Sequence, residues 1–200
     1  MKITVLYGSS RKNGSSATTA KKILEKVRCE KDEVKEYWLT DKNIQPCIGC
    51  LACRKKEVCS RKNDDMSVIY QDIVSSDFVI FSSPLYCLDV AGSFKMMFDR
   101  LYPMVDGPQG IYTPRHPGIK CCMVYSQGAP GLVFRNAAKL MKIRLKTNGF
   151  HNLGIIRETL TVDLTNATDN KFLLKFADFY RNRQRKKNQR MIEKICRQIR

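Results

Sequence analysis

No stretch of the 200 residues approaches the ~20 consecutive apolar side chains that a membrane helix needs, so no helical membrane span is expected. Nor is a leader evident. Met1-Lys2 runs straight into the strand-like Ile3-Thr4-Val5-Leu6-Tyr7, and the expectation is a soluble, cytoplasmic protein. Histidine is scarce. His116 sits in the segment Pro114-Arg115-His116-Pro117 and His151 opens a strand-like run. Neither has neighbours suggesting a Ser-His-Asp or Cys-His nucleophile, so both read as structural. No internal repeat is present.

Acidic residues are also few: 19 Asp and Glu against 36 Lys and Arg leave a formal net charge of +17. Such an excess raises nucleic acid or an anionic surface as partners. Residues 181–200 alone carry +8 of it, and the body shows no basic stripe, so nucleic acid is not the expected partner. On that basic tail Met191, Ile192, Ile195 and Ile199 share one helical side. This reads first as a helix packing on a sheet or on a partner subunit, and second as a membrane-surface or nucleic-acid contact. Cysteine, by contrast, is abundant: nine in all, four of them between Cys47 and Cys59. With no secretory leader, such clustering suggests metal or redox chemistry rather than a disulfide framework.

Short apolar runs alternate with helical patterns, which predicts βαβ units around a parallel sheet. The runs are Ile3–Tyr7, Val34–Leu39, Phe78–Phe81, Cys121–Tyr125 and Leu153–Ile156. Helical spacing groups Ala17, Ala20, Ile23, Leu24 and Val27; then Met66, Ile69, Tyr70 and Ile73 behind an Asp65 N-cap. It also groups Phe94, Met97, Phe98 and Leu101, and Ala138, Met141 and Leu145 closed by Asn148-Gly149. Residues 169–199 read as a final helix or helix pair. Continuous apolar runs mark strands three and four as central, while charge in Val34–Trp38 marks an edge. The expected architecture is a three-layer α/β sandwich with five parallel strands in the order 2-1-3-4-5. Residues 1–168 would form the domain and 169–200 a basic helical extension of it. That order opens a crevice beyond the carboxyl ends of strands one and three.

Gly8-Ser9-Ser10-Arg11-Lys12-Asn13-Gly14-Ser15-Ser16 follows the first strand and opens the first helix. Small residues let backbone N–H groups approach an anion, hydroxyls and Arg11 add donors, and the helix contributes its positive end. A dianionic phosphomonoester wants such a set. A nucleoside-triphosphate loop needs Lys and then Ser/Thr after its second glycine, and the G-x-G-x-x-G fingerprint is absent. A plain polar loop with a serine cap is the bland alternative. Strand three leads into Ser82-Ser83-Pro84-Leu85-Tyr86, and strand four into Ser126-Gln127-Gly128-Ala129-Pro130-Gly131. Tyr86 and Leu85 can wall a flavin ring and Gly128 admits backbone beside it; each loop alone would read as ordinary turn chemistry.

Three motifs now stand in order: Gly8-Ser9-x-Arg11-x-x-Gly14, Pro84-x-Tyr86 with Gly92-x-x-Lys95-x-x-x-Asp99-Arg100, and the cysteine segment ending in Asp64-Asp65-Met66. On these residues the chain, over residues 1 to about 160, resembles the flavodoxin-like NAD(P)H-dependent FMN reductases, in particular the iron–sulfur flavoprotein branch. The resemblance implies FMN phosphate bound by Ser9, Arg11, Gly14, Ser15 and Ser16. It implies the isoalloxazine against Pro84, Leu85 and Tyr86 with Ser126, Gln127 and Gly128 nearby, and a homodimer or homotetramer. Ser15-Ser16 replaces the branch's usual Asn-Thr, which keeps the hydroxyls. The basic C-terminal helix has no counterpart to carry over.

Cys47-x2-Cys50-x2-Cys53-x5-Cys59 spaces three thiolates to wrap one corner of a [4Fe–4S] cubane and a fourth to close it. A cysteine-only redox or structural role is the alternative. Zinc ranks third, since structural zinc usually takes two separated Cys-x-x-Cys pairs. Of the remaining thiols only Cys87, beside the flavin wall, draws notice; Asp64-Asp65 reads as helix capping. The expected function is an FMN oxidoreductase passing electrons from NAD(P)H, a transient co-substrate, to a quinone, a flavin or another small acceptor, with no side chain assigned as catalytic. One alternative is an iron–sulfur electron carrier fed by ferredoxin. Another is a binding module that uses the basic tail.

Overall fold

A computed structural model describes residues 1–106, 112–131, 133–162 and 168–200; the expected boundary near residue 168 adjoins a segment outside this range. Period-two alternation on the central strands sends apolar side chains to both faces of one sheet, so helices must cover both. The strands are β1 (Lys2–Tyr7), β2 (Glu33–Trp38), β3 (Phe78–Tyr86), the two-residue β4 (Asp89–Val90), β5 (Lys120–Ser126) and β6 (His151–Glu158). The order β2-β1-β3-β5-β6 is parallel throughout. It is the flavodoxin-like arrangement expected from the sequence, with β4 added as an antiparallel hairpin on β3. Register places Leu6, Phe81, Met123 and Ile155 in one row across four strands.

One face packs Leu6, Val79, Phe81 and Met123 against α3 (Met66–Val74), α4 (Gly92–Asp99) and α5 (Arg135–Thr147). The other packs Ile3, Val5, Phe78, Ile80, Cys122 and Val124 against α1 (Ser15–Val27) and α6 (Lys171–Ile199). All five apolar residues read onto α1 are buried. The α5 terminus closes as Asn148-Gly149 predicts. Gly149 takes φ 87°, its N–H donates to Lys146 O (3.0 Å), and Phe150 N donates to Leu145 O (3.0 Å).

Two expectations are corrected. Strand three runs five residues past the apolar stretch Phe78–Phe81, because Leu85 and Tyr86 pair with Val90 and Asp89. Asp65 stands at the N-cap of α3 but makes no side-chain cap. Its Oδ2 accepts from Asn43 N (2.8 Å), and the neighbouring Asp64 Oδ1 accepts from Met66 N (3.2 Å). Of the helix or helix pair expected at the C-terminus, the structure has the single helix, residues 171–199, started by Asn170 Oδ1 accepting from Phe172 N and Leu173 N. The tail stripe lies on the sheet: Ile192 and Ile195 are buried, with Met191 and Ile199 partly so. Gly154 permits this contact, since a Cβ there would stand 2.7 Å from Met191 Sδ. Among the described residues no helix is long and apolar enough to cross a membrane.

Candidate functional site

The loop after β1 is drawn tight by its own backbone. Gly8 N donates to Ser82 O (2.7 Å), Gly14 N donates to Arg11 O (2.9 Å), and Ser9 Oγ accepts from Arg11 N (3.0 Å). Side chains at the two glycines would interfere. A Cβ on Gly8 would meet Phe94 Cβ at 2.7 Å, and one on Gly14 would meet Arg11 O at 3.1 Å. The loop delivers the chain into α1 with Gly14 extended, no side-chain cap and no acidic residue in the first turn. The N–H groups of Ser15, Ser16 and Ala17 therefore point out of the helix without intrahelical acceptors. Ser9 and Ser16 are buried beside them, while Arg11 is exposed. This is a polarised set of donors with no competing carboxylate in the helix's first turn, suited to an anion.

All eleven residues expected to bind the cofactor line one cleft of about 720 Å³ at the carboxyl ends of β1, β3 and β5. Ser9, Arg11, Gly14, Ser15 and Ser16 come from the first loop; Pro84, Leu85 and Tyr86 from β3; Ser126, Gln127 and Gly128 from β5. The volume falls in the range of small-molecule sites. Leu85 is largely turned into the core, so Tyr86, 54% exposed, is the free aromatic wall. The turn beyond it puts Cys87 at φ 47° and Leu88 at φ 70°. Two left-handed residues in a two-residue hairpin are ordinarily Asn-Gly, so these side chains hold strain of about 1 kcal/mol or more next to Tyr86.

Gln127, 2% exposed, fixes the third loop. Its Nε2 donates to the carbonyls of Ala129 and Pro130, both at 2.9 Å, which settles the amide orientation. Its Oε1 is buried without a partner among the described residues. An orphaned acceptor in the wall of a cleft is a place for a ligand donor.

Asn13, Thr161 and Val162 also line the cleft and were not singled out by the sequence. Thr161 N and Oγ1 both donate to Gln127 O (3.2 Å). This loop after β6 is held from α6: Arg181 Nε donates to Leu160 O (3.0 Å) and Nη2 to Val162 O (2.9 Å); in the neighbouring loop after β5, Gly131 N donates to Tyr180 OH of the same helix (3.1 Å). Position gave one available signal, because β6 ends beside β5 and its following loop must reach the same rim. Arg181→Met should release the loop. Amide exchange at Leu160 and Thr161 is expected to accelerate by about tenfold to a hundredfold, the equivalent of one or two charge-assisted hydrogen bonds, with α1 amides unchanged. Unaltered exchange would show that the loop holds itself.

The cysteine loop is anchored at the C-terminal end of α4. Arg100, at the end of α4, grips its base: Nη1 donates to Gln45 O (2.7 Å) and Asp64 Oδ2 (2.6 Å), and Nη2 to Arg61 O (2.9 Å) and Asp64 Oδ1 (3.1 Å). Farther along, Arg54 pairs with Asp106 (2.5 Å), Arg115 Nη2 donates to Arg54 O (2.6 Å), and His116 pairs with Glu57. Within the loop the short helix α2 (Ala52–Lys56), entered and left through the left-handed Leu51 and Glu57, turns Cys53 inward. Cys47 and Cys50 face outward and Cys59 is half-buried. Burial pushes the Cys53 thiol up, whereas the Ser60 hydroxyl 3.0 Å from Cys50 Sγ holds that thiol below the usual value. Among the described residues no three His, Cys, Asp or Glu side chains stand close enough to share a metal ion. The four cysteines thus share one short loop, Cys53 on its inner side and Cys47 and Cys50 on its outer side, with Cys47, Cys50 and Cys59 near enough to raise the Cys53 thiol by their charge.

The model of the family described as NADPH-dependent FMN reductase matches residues 1–114. Curated relatives include an iron–sulfur flavoprotein of Clostridioides difficile, 37% identical over 108 residues, covering 53% of this chain and 48% of the relative. Another, from Methanocaldococcus jannaschii, is 32% identical over 109 residues, 54% of this chain and 56% of the relative. The chain spans about half the length of the curated relatives it matches. Among solved structures, an FMN-dependent NADH-azoreductase of Bacillus anthracis in complex with FMN superposes over the full length of both chains with a TM-score of 0.66. At 14% identity that likeness speaks for the fold. The match over more than half of its length means that this chain belongs to the NADPH-dependent FMN reductase family.

Proposed function

We propose that the cleft holds FMN and that the protein is an NAD(P)H-dependent FMN oxidoreductase that reduces a quinone, a flavin or another small acceptor. The observation that carries the reading is the uncapped start of α1, with buried Ser9 and Ser16 and Arg11 beside it, opening into a cleft walled by Tyr86. When bound, FMN supplies a ring that takes up hydride equivalents from a nicotinamide and releases electrons to an acceptor. The chain's part is to bind and orient. The α1 N–H groups and Arg11 hold the phosphate dianion. Tyr86 would flank the ring, Gln127 Oε1 would accept from a ligand donor, and Gly128 would leave that edge free of side chain. Val162 stands close to Gly128, whose Cβ would lie 3.3 Å from it. Pairing of Tyr86 with Asp89 across the Cys87-Leu88 turn places Tyr86 at the rim.

Anaerobic mixing of the FMN-loaded protein with NADH and with NADPH tests this: at least one should bleach the flavin band, and no bleaching by either refutes the reductase reading. A second reading, an electron carrier holding a [4Fe–4S] cluster and fed by ferredoxin, is favoured by the four-cysteine loop and by the names of the relatives. Cys47, Cys50, Cys53 and Cys59 would hold the cluster, their thiols drawing closer together around it than they stand here. Protein purified without oxygen would then contain roughly four irons per chain, lost in Cys47→Ala or Cys59→Ala; iron-free, flavin-loaded protein eliminates it.

A further inference from the structure

The cleft does not end at the phosphate loop. Between α1 and α6, on the same face of the sheet, two cavities of about 400 and 590 Å³ both touch Ser15, Glu158 and Arg185. Ser15 lines the flavin cleft as well, and Thr161 and Val162 join that cleft to the first of the two. Together they make one trough leaving the anion end of the cleft and running along α1 to Lys26, about 16 Å at 1.5 Å per residue. That is far more than one phosphate needs.

The lining is chemically mixed in a specific way. Arg185 from α6 and Lys22 from α1 face the trough from opposite walls, and neither makes an ion pair among the described residues. Arg181 is committed to the carbonyls of Leu160 and Val162 and is not available to a ligand. On the floor Glu158 is fixed, its Oε1 accepting from Thr19 Oγ1 (2.8 Å) and Asn188 Nδ2 (3.1 Å). Thr159, 6% exposed, lines the first cavity with an Oγ1 that has no partner among the described residues. A buried hydroxyl left unpaired in a cavity wall marks a place where a polar ligand is expected. At the far end Ile192 adds an apolar surface. Arg185 and Lys22 as opposed cations with Lys26 beyond them, the carboxylates of Glu158 and Glu25, an idle hydroxyl and an apolar end match a ligand with anionic phosphates, a sugar diol and a flat base.

We infer that the α1–α6 trough binds an adenosine diphosphate group adjoining the flavin site, an inference that rests on the flavin reading of the main cleft. Such a group reaches the protein in two ways: as the adenylate end of FAD, continuing from the phosphate at Ser15, or as the ADP half of the pyridine dinucleotide. The carboxylate of Glu158 takes the ribose diol, Arg185 and Lys22 the phosphates.

Calorimetric titration of the FMN-loaded protein with ADP, and of the flavin-free protein with FMN and with FAD, tests the inference. ADP should bind without releasing flavin, at least tenfold tighter than inorganic pyrophosphate, and should weaken about tenfold or more in Arg185→Glu and in Lys22→Glu. The two substitutions lie on different helices, so misfolding of one variant leaves the other. FAD binding at least tenfold tighter than FMN, with the advantage lost in these variants, identifies the flavin dinucleotide as the source. Equal flavin affinities, with ADP displaced by NADH or NADPH, identify the pyridine dinucleotide. Absence of ADP binding together with equal flavin affinities overturns the inference. So does ADP binding that neither substitution weakens, or that is no tighter than that of pyrophosphate. Protein that refuses FMN refutes the flavin reading itself, and the ADP titration still reads the trough.

Discussion

Arg100→Met should destabilise the fold by about 3–5 kcal/mol, the cost of leaving one member of a buried ion pair without the other. The side chains of Arg100 and Asp64 are 1% and 0% exposed, and their fork-to-fork contact runs at 2.6 and 3.1 Å. Without the guanidinium, Asp64 keeps only the N–H groups of Gln45 (3.0 Å) and Met66 (3.2 Å). Urea unfolding followed through Trp38, the single tryptophan, measures the loss. Its pH dependence carries the cause. Burial pushes the Asp64 carboxyl up, but Arg100 and the two N–H donors outweigh it and the net shift is downward. A depressed carboxyl contributes stability that is complete above its unfolded value near 3.9 and disappears as pH falls through the folded value. In the variant the shift reverses, since a buried carboxylate without its cation protonates more readily. The gap between the two proteins should therefore be widest at neutral pH and narrow toward pH 3. A gap independent of pH would mean that lost packing, not charge, is responsible. Arg100→Lys should recover only part of the stability, because one ammonium cannot reproduce four bonds in a planar fork. Gln45 and Arg61 bracket the cysteines, so the same variant should also open Arg54-Lys55-Lys56 to trypsin.

This clamp illustrates what could and could not be seen in the sequence. Asp64 and Arg100 both stood in recognised motifs, yet their partnership spans 36 positions and is made by tertiary packing, whereas local pattern assigned the aspartates to capping. Where structure is local or periodic, the sequence spoke clearly. The α1 stripe, the central runs of β3 and β5 and the Asn148-Gly149 stop each follow from 2.0- or 3.6-residue repeats or from one left-handed glycine. The loops at the strand ends were legible for the same reason, since strand order alone fixes which of them meet. The hairpin at Cys87-Leu88 was not, because neither residue favours the left-handed backbone that β3–β4 pairing imposes. Thr161 and Val162 carry no local signature; their place at the cleft comes from Gln127 and from Arg181, 19 and more residues away. The cysteine spacing marked the loop as a place for redox or metal chemistry, but it carried no sign of the short helix that buries Cys53.

The largest effect on ligand binding is expected at Arg11, and riboflavin is the control that isolates it. FMN and riboflavin share the ring and the ribityl chain and differ only in the phosphate. If the loop after β1 holds that group, FMN should bind the wild-type protein far more tightly than riboflavin. Arg11→Ala should weaken FMN by about 10- to 150-fold, the equivalent of 1.5–3 kcal/mol for a hydrogen bond to a charged group, and leave riboflavin nearly unchanged. Added salt should weaken FMN in the wild type more than in the variant, because Arg11 is exposed and its contribution is screened. Gly14→Val should lower the FMN advantage through backbone rather than charge: its Cβ would stand 3.1 Å from Arg11 O, and the loop must open to admit it. The α1 N–H groups would then lose their common focus while Arg11 stays in place, so the two substitutions should combine less than additively. Fluorescence quenching titrations of both ligands against the four proteins give the whole cycle. Equal affinity for FMN and riboflavin, or a loss in Arg11→Ala that strikes both alike, would mean that the donors around Ser9, Gly14 and Ser16 serve the fold and not a phosphate.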